Sequence, residues 1–332
     1  MVDHPGARPG PDAAYAQWLA ACAAAGWRGR PDAERVPVQD ALARVTAAPV
    51  QADELIIPAG HRLRPADLAA AAAAGHNTLD VARRPVVAII PTGDEIRPVG
   101  AELGPGDLID TNSLMLAVRA RETGACAIVG DVRPDDLDMI AAAIRRAAAS
   151  AGLILLIAGS SAGRSDYAAT AITQAGGLAV RGVAVRPGHP ALLGYARPGR
   201  SGPPVPVIGI PGYPLSAAVI FELFGVPLLA ALQGGQVPEP AWQRAELACD
   251  WAASPDDEHW VLVTLEPAGE HPDGTMIATP GRRGAGSITR LMRAHAWWRI
   301  PIGQAKFHRG ELIDVQPIPG APRLPGAGRL GS

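Results

Sequence analysis

The sequence predicts an α/β protein: a mostly parallel, doubly wound sheet, preceded by a helical N-terminal remnant and followed by a small all-β domain. The first observation is Val86-Val-Ala-Ile-Ile-Pro-Thr-Gly-Asp-Glu95, a β-branched apolar run that empties into a polar, acidic turn. Two further units share this form, Gly152-Leu-Ile-Leu-Leu-Ile-Ala-Gly-Ser-Ser-Ala-Gly163 and Val205-Pro-Val-Ile-Gly-Ile-Pro-Gly-Tyr-Pro214, each leading into a helical pattern. Parallel strands that release Gly-, Ser- and Asp-bearing loops at their C-terminal ends build ligand crevices in open α/β sheets. The third observation is a change of character after residue 240, where helical periodicity fades and short β runs replace it.

Residues 1–84 form a shortened helical and extended region. Residues 1–12 are Pro- and Gly-rich and are expected to be loose. Tyr15–Gly26 carries Trp18, Leu19 and Cys22 at helical spacing, and Val38–Ala47 suits a second short helix. Gln51–Ala82 reads as extended or irregular apart from a helix over Pro65–Ala74, with Pro65 at a first-turn position. So small a region struggles to build a core alone.

Residues 85–235 alternate strand and helix. Strands fit Val86–Ile90, Ala125–Gly130, Leu153–Ala158, Val180–Val185 and Val207–Ile210. Helices fit Ser113–Thr123, Asp136–Ala149, Ser165–Gln174 and Ser216–Leu232. Such alternation implies a parallel sheet covered on both faces. Gly234, Gly235, Pro238 and Pro240 mark a linker. Residues 241–318 hold strands at Trp260–Leu265, Thr275–Thr279, Trp297–Ile300 and Leu312–Val315. Trp297-Trp298 fits a core or an interface better than a stacking platform, since no basic patch surrounds it.

Bulk properties exclude several classes. At 332 residues and 48% hydrophobic content, the chain can bury substantial cores in two or three domains. A net charge of −2 gives no global basic field to recruit nucleic acid. Lys306 is the only lysine, so Arg stands in for positive charge almost everywhere. Cys22, Cys126 and Cys249 are odd in number and widely spaced, which suits neither a metal site nor a disulfide framework. Met1–Gly10 shows no signal-peptide pattern, and no apolar run is expected to span a membrane. A cytoplasmic location is the expectation.

Four motifs could carry chemistry, and two more read as structural caps. In Pro91-Thr-Gly-Asp-Glu95, Asp94 and Glu95 fit either metal or hydroxyl binding by carboxylates, or a turn with solvated acids. Ala158-Gly-Ser-Ser-Ala-Gly163 exposes backbone N–H groups suited to phosphate or carboxylate at a helix N-terminus. There, Ser165 could instead cap the helix and leave Asp166 in its first turn, where the helix dipole favours an acid. In Arg186-Pro-Gly-His-Pro190, Arg186 could fork onto an oxyanion, while His189 reads more readily as a surface loop residue than as a ligand. Pro211-Gly-Tyr-Pro-Leu-Ser216 is a rigid strand-to-helix turn, fitting either a flat anionic ligand or tight packing alone. Asp110-Thr-Asn-Ser113 and Arg133-Pro-Asp-Asp136 read as helix caps.

Together these motifs resemble the molybdopterin molybdenumtransferase family of the MoeA and gephyrin E-domain type. The resemblance runs from about Gly60 to Val315. It rests on Pro91-Thr-Gly-Asp-Glu95, Asp110-Thr-Asn112, Asp135-Asp136, the Gly-Ser-Ser-Ala-Gly loop with Asp166-Tyr167, Arg186-Pro-Gly188 and Pro211-Gly-Tyr-Pro214. It implies the molybdopterin-binding, MogA-like fold. That fold also occurs in molybdopterin adenylyltransferases, but the β domain with Arg283-Gly-Ala-Gly-Ser-Ile-Thr-Arg290 resembles the C-terminal domain of the molybdenumtransferases and argues against that alternative.

The implied activity is binding of molybdopterin or its adenylate, insertion of molybdate and release of AMP. The resemblance makes Glu95, Asp135 and Asp166 the catalytic acids, with Asp135 and Asp166 near Mg2+ or another divalent cation. It assigns ligand binding to Thr92, Gly93, Asp94, Asp110, Asn112, Gly159, Ser160, Ser161, Gly163, Arg186, Pro187, Gly188, Pro211, Gly212, Pro214 and Ser216. It further implies a homodimer. The departures are specific. An inserted domain, with an Asp-Gly-Tyr-Ala motif before it, interrupts the family's N-terminal domain, whereas here Val50-Gln-Ala-Asp53 reaches Pro58-Ala-Gly-His-Arg-Leu63 almost at once. Arg186 and His189 stand where lysines are usual, and Ala158-Gly-Ser-Ser-Ala-Gly163 replaces Gly-Gly-Val-Ser-Val-Gly. The loss of the insert also leaves open a binding protein without turnover, such as a carrier or sensor.

Overall fold

The structure, a computed structural model, describes residues 8–29, 32–52, 54–158, 162–199, 202–236, 239–268, 275–281 and 288–322, without the side chains of residues 162–165. Helix α1 (Pro11–Ala24) starts on a proline and buries Trp18 and Cys22 completely. The Trp18 indole N–H donates to the Gly194 carbonyl at 2.6 Å, so α1 is pinned to the central α/β layer rather than to the residues that follow it. Burial pushes the Cys22 thiol up to about 12, which leaves it a packing residue.

A small unit follows, with β1 (Ala33–Pro37), β2 (Val50–Gln51), β3 (Leu55–Ile57), α2 (Pro65–Ala73) and β4 (Thr78–Ala82). It has its own core of Ala41, Val50, Ile57, Leu63, Ala71, Leu79 and Val81. The helix expected over Val38–Ala47 does not form. One 3₁₀ turn spans Val38–Asp40, Ala43 turns the chain at φ 59° with its N–H donating to the Leu63 carbonyl, and Val45 and Thr46 then pair in extended form with Arg62 and Val81. Val45 and Thr46 are β-branched, which favours this outcome. Strands β2 and β3 form a hairpin in which Ala52 N–H donates to the Glu54 carbonyl at 3.0 Å. Three residues therefore close the chain where the resemblance leads one to expect an inserted domain.

The central layer contains β5 (Val86–Pro91), β6 (Ile96–Arg97), β7 (Leu108–Ile109), α3 (Thr111–Glu122), β8 (Cys126–Val129), α4 (Leu137–Ala147), β9 (Leu153–Ala158) and α5 (Ala162–Ala175). It continues with β10 (Gly176–Arg181), β11 (Val185–Arg186), β12 (Leu192–Ala196), β13 (Val205–Pro211), α6 (Pro214–Ile220) and α7 (Val226–Leu232). The six-stranded sheet has the order β10-β12-β13-β9-β5-β8. Strands β13, β9, β5 and β8 are parallel, while β12 runs antiparallel to both of its neighbours. Every residue of β9 and β13 is buried, as expected of strands covered on both faces.

Two expectations are corrected in this layer. The strand expected at Val180–Val185 lies earlier, at Gly176–Arg181, and β12 was not foreseen. At Gly194 in β12, an added Cβ would stand 2.5 Å from both the Gly177 carbonyl oxygen and Ile172 Cγ2, so a residue that weakens strand patterning is needed there for close approach. A long apolar helical segment is also present after all. Pro214–Leu232, through a π-helical stretch at Phe221–Gly225, is long and apolar enough to cross a membrane by length and composition, with Glu222 its single charge. Most of it is buried in the protein core, where Phe221, Phe224 and Leu228 are inaccessible.

The last unit holds β14 (Gln243–Leu247), β15 (Trp251–Ala252), β16 (Glu258–Pro267), β17 (Met276–Pro280), α8 (Ile288–Arg293), β18 (Ala296–Ile300), β19 (Lys306–Phe307) and β20 (Leu312–Pro317). Strands β16, β17, β14, β20 and β18 close on one another through the β16–β18 pairing. Period-two alternation divides their residues. Val261, Val263, Leu265 and Trp298 fill the interior, whereas Trp260, Leu262 and Trp297 join the cluster of the α/β layer. Strand β11 belongs to this second sheet: Val185 and Arg186 pair in parallel with Glu258 and His259.

Candidate functional site

The loops at the C-terminal rim of the sheet are tied to one another in sequence-distant pairs. Beyond β5, the Thr92 backbone N–H and its hydroxyl both donate to the Ile157 carbonyl at 2.9 Å, which locks this turn to the end of β9. Gly93 N–H donates to the Arg133 carbonyl, and Arg133 N–H donates back to the Pro91 carbonyl. Gly93 has φ 137°. A Cβ there would meet Ile96 Cγ1 at 2.8 Å, so glycine is required twice over. Asp94 Oδ1 accepts the Asp135 N–H at 3.2 Å. The two acidic loops are therefore neighbours, with Glu95 and Asp135 half-buried.

Asp110 and Asp136 are helix caps, as their sequence settings suggest. Asp110 accepts from Ser113 N–H at 2.9 Å and Asp136 from Met139 N–H at 2.8 Å. Asp166 departs from expectation. Helix α5 begins at Ala162, which puts Asp166 beyond the first turn, and its carboxylate pairs with Arg181 on an exposed surface. Gly163 lies within α5, whereas Gly159, Ser160 and Ser161 lie outside the described residues. Among the described residues, no three His, Cys, Asp or Glu side chains group to hold a metal ion. Asp166, one of the two acids expected near a cation, is engaged by Arg181.

One side chain joins the acidic end of the rim to the other end. Asn112, buried at the start of α3, donates through Nδ2 to the Gly212 carbonyl at 2.8 Å. Its Oδ1 and the neighbouring Ser113 Oγ are buried without a hydrogen-bond partner among the described residues. Gly212 belongs to the turn Pro211-Gly-Tyr-Pro214, where Pro214 opens α6.

Pro211 and Ser216 then line a crevice of about 430 Å³ between the α/β layer and the β domain. Arg186, Pro187, Gly188 and His189 line it from the α/β side, and Trp251, His259, Trp260 and Arg290 from the β domain. Gly188 has φ 130°. A Cβ on it would stand 2.8 Å from Ile220 Cδ1, so the turn approaches the helix as only glycine allows. Arg186 Nε donates to Asp257 Oδ2. His189 contacts the Arg8 guanidinium. Its imidazole titrates below its ordinary value, first because it is buried and then because Arg8 and Arg186 repel a second positive charge, with Asp257 opposing them. Among the described lining residues, Arg186, His189, His259 and Arg290 are basic and none is Asp or Glu.

Sequence reading found the α/β half of this crevice and missed the half formed by Trp251, His259, Trp260 and Arg290. The one available signal was the alternation in His259-Trp260-Val261-Leu262, which turns Trp260 and Leu262 to the face opposite Val261. His189, read as a surface loop residue, is instead part of the lining.

A doubly wound α/β layer with a closed β domain across its rim is the architecture that frames this crevice. Residues 88–231 match the family described as "Probable molybdopterin binding domain", and residues 244–318 match "MoeA C-terminal region (domain IV)". Molybdopterin molybdenumtransferase 2 of Mycobacterium tuberculosis strain H37Rv is 33% identical over 272 residues, which are 80% of this chain and 64% of that protein. Molybdopterin molybdenumtransferase of Nostoc sp. strain PCC 7120 is 27% identical over 288 residues, 85% of this chain and 64% of that protein. Among solved structures, the molybdopterin biosynthesis MoeA protein of Pyrococcus horikoshii OT3 superposes with a TM-score of 0.74 at 20% identity, covering 94% of this chain and 100% of that one. A molybdenum cofactor biosynthesis protein of Pyrococcus furiosus superposes with a TM-score of 0.69 at 25% identity, covering 94% and 100%. The two matched regions together give this chain a molybdopterin-binding domain followed by a MoeA-type C-terminal domain, the arrangement its MoeA-like structural neighbours share. The chain spans 64% of the length of both curated relatives named above.

Proposed function

We propose that this chain acts in molybdenum cofactor biosynthesis, binding molybdopterin or its adenylate in the interdomain crevice, inserting molybdate and releasing AMP. The observation that carries this reading is the lining: among the described residues it has aromatic walls from Trp251 and Trp260, four basic residues and no carboxylate. A flat, multiply anionic ligand is what such a surface favours. In this reading Arg186 forks onto an oxyanion, Trp260 packs the apolar body of the ligand, and the Pro211–Pro214 turn sets the depth of the floor. Glu95 and Asp135 stand at the other end of the rim as the candidate acids. A divalent cation accompanies the family resemblance, and Asp135 is the acid beside Glu95 that would face it in this reading.

Molybdate-dependent AMP release from adenylated molybdopterin is the test, with release above the protein-free rate expected. Tight ligand binding without release would favour the second reading, a carrier or sensor. That reading has its own support in the hairpin of β2 and β3, which replaces the family's inserted domain. We further propose a cytoplasmic homodimer. Light scattering at micromolar concentration should give twice the mass of 34.2 kDa, and the monomer mass would reject the dimer.

A further inference from the structure

Arg186 reaches the crevice from the α/β layer, yet the group that holds its guanidinium comes from the β domain. Asp257 lies just before β16, is 6% exposed, and is the only buried acid among the described residues. Its Oδ2 accepts from Arg186 Nε. The backbone repeats the link: Val185 and Arg186 pair with Glu258 and His259, and Glu258 N–H donates to the Ala184 carbonyl at 3.0 Å. A carboxylate this buried is tolerated only with a partner. The ion pair occupies Nε. The two terminal amino groups of Arg186 have no partner among the described residues, and its side chain stays 56% exposed where it lines the crevice. A guanidinium is planar, so fixing Nε also fixes the plane in which the other two nitrogens meet an oxyanion.

We infer that Asp257 is a positioning residue for the oxyanion site: it clamps Arg186 at Nε, so that docking of the β domain sets the affinity of the crevice for a tetrahedral oxyanion. The inference rests on the reading of the crevice given above. It has a counterintuitive sign. Asp257 is itself negative, so a purely electrostatic role predicts that removing its charge tightens anion binding. Positioning predicts the opposite.

Calorimetric titration of sodium molybdate into the full chain separates these outcomes. Wild type is expected to bind, Asp257→Asn to bind about tenfold more weakly, and Asp257→Asn to have no further effect in an Arg186→Gln background. Asp257→Glu, which restores the charge, should recover part of the loss. Binding by Asp257→Asn as tight as wild type or tighter overturns the inference, as does an equal loss in both backgrounds. A wild-type chain that binds no oxyanion overturns the crevice reading itself, and this inference with it. Should Asp257→Asn not fold, NMR of wild type gives the second measurement. The Arg186 Nε–H should exchange slowly with water and stay put on adding molybdate while the terminal nitrogens shift. Rapid exchange of that proton overturns the clamp.

Discussion

The two ends of the sheet rim are built on different principles. Over β5, β8 and β9 the rim is held by backbone groups: Thr92 and Gly93 bond to the ends of neighbouring segments, and Asp94 receives the Asp135 N–H. Such a turn is specified by local residues, above all a glycine at positive φ. Over β13 and β16 the rim is held by side chains from two domains, with Arg186 on Asp257 and His189 on Arg8. That end exists only once the β domain has docked. Acidic chemistry at one end is thus a property of the chain's local turns, whereas the basic crevice is a property of its tertiary assembly.

The largest expected effect tests whether these ends are separate. Arg186→Gln should cost about 2 kcal/mol of molybdate binding, the scale of one charge-assisted hydrogen bond, or roughly 30-fold in Kd. Asp135→Asn should leave that affinity within about twofold, since Asp135 is not among the residues that line the crevice. Equal losses in titration calorimetry would merge the two ends into one site.

The same contrast explains what could be read from the residues alone. The parallel strands, the Asp110 and Asp136 caps and the turn glycines follow from nearest-neighbour chemistry, and the sheet order then follows from alternation. Strand β12 was invisible because Gly194 interrupts its pattern for the sake of contacts with Gly177, Ile172 and Trp18, none of them nearby in sequence. The helix expected over Val38–Ala47 was lost to pairing with residues 61–63, another tertiary effect. Trp260 carries no motif of its own, and Arg290 stands out only as the end of the Arg283–Arg290 resemblance. They matter because of where β16 and α8 come to rest.

Asn112 is the bridge between the ends, and its removal is the next effect in size. Asn112→Ala breaks the bond to the Gly212 carbonyl and also removes the unpartnered Oδ1. The two changes oppose each other, so about 1 kcal/mol of stability should be lost, read as a lower urea midpoint at unchanged slope. A larger shift, or a changed slope, would mean that the two ends fold as one unit through this residue.

Acidity should act on the basic end. His189 titrates below 6.5 in the folded chain, so the unfolded chain takes up its proton first on acidification. The stability contributed by the neutral imidazole is full above pH 6.5 and is lost as the pH falls through the folded value. A bound oxyanion favours the protonated ring, so molybdate affinity should rise over that same interval. His189→Gln should flatten both trends. An affinity independent of pH between 5 and 7.5 in wild type would remove His189 from the ligand surface.

The smallest stability effect belongs to Asp166, and it is small for a reason that gives the test its value. Its pair with Arg181 is well exposed, with side chains 64% and 61% accessible, so solvent screens it and Asp166→Asn should cost under about 1 kcal/mol. Helix α5 starts four residues earlier and does not depend on this carboxylate for its first turn. The melting temperature should therefore move by less than about 3 °C. Against so quiet a structural background, AMP release becomes a direct readout. If turnover falls at least tenfold while the melt barely moves, Asp166 is an acid of the reaction despite lying on Arg181. If turnover is unchanged, the acids that matter are confined to the Glu95 and Asp135 loops.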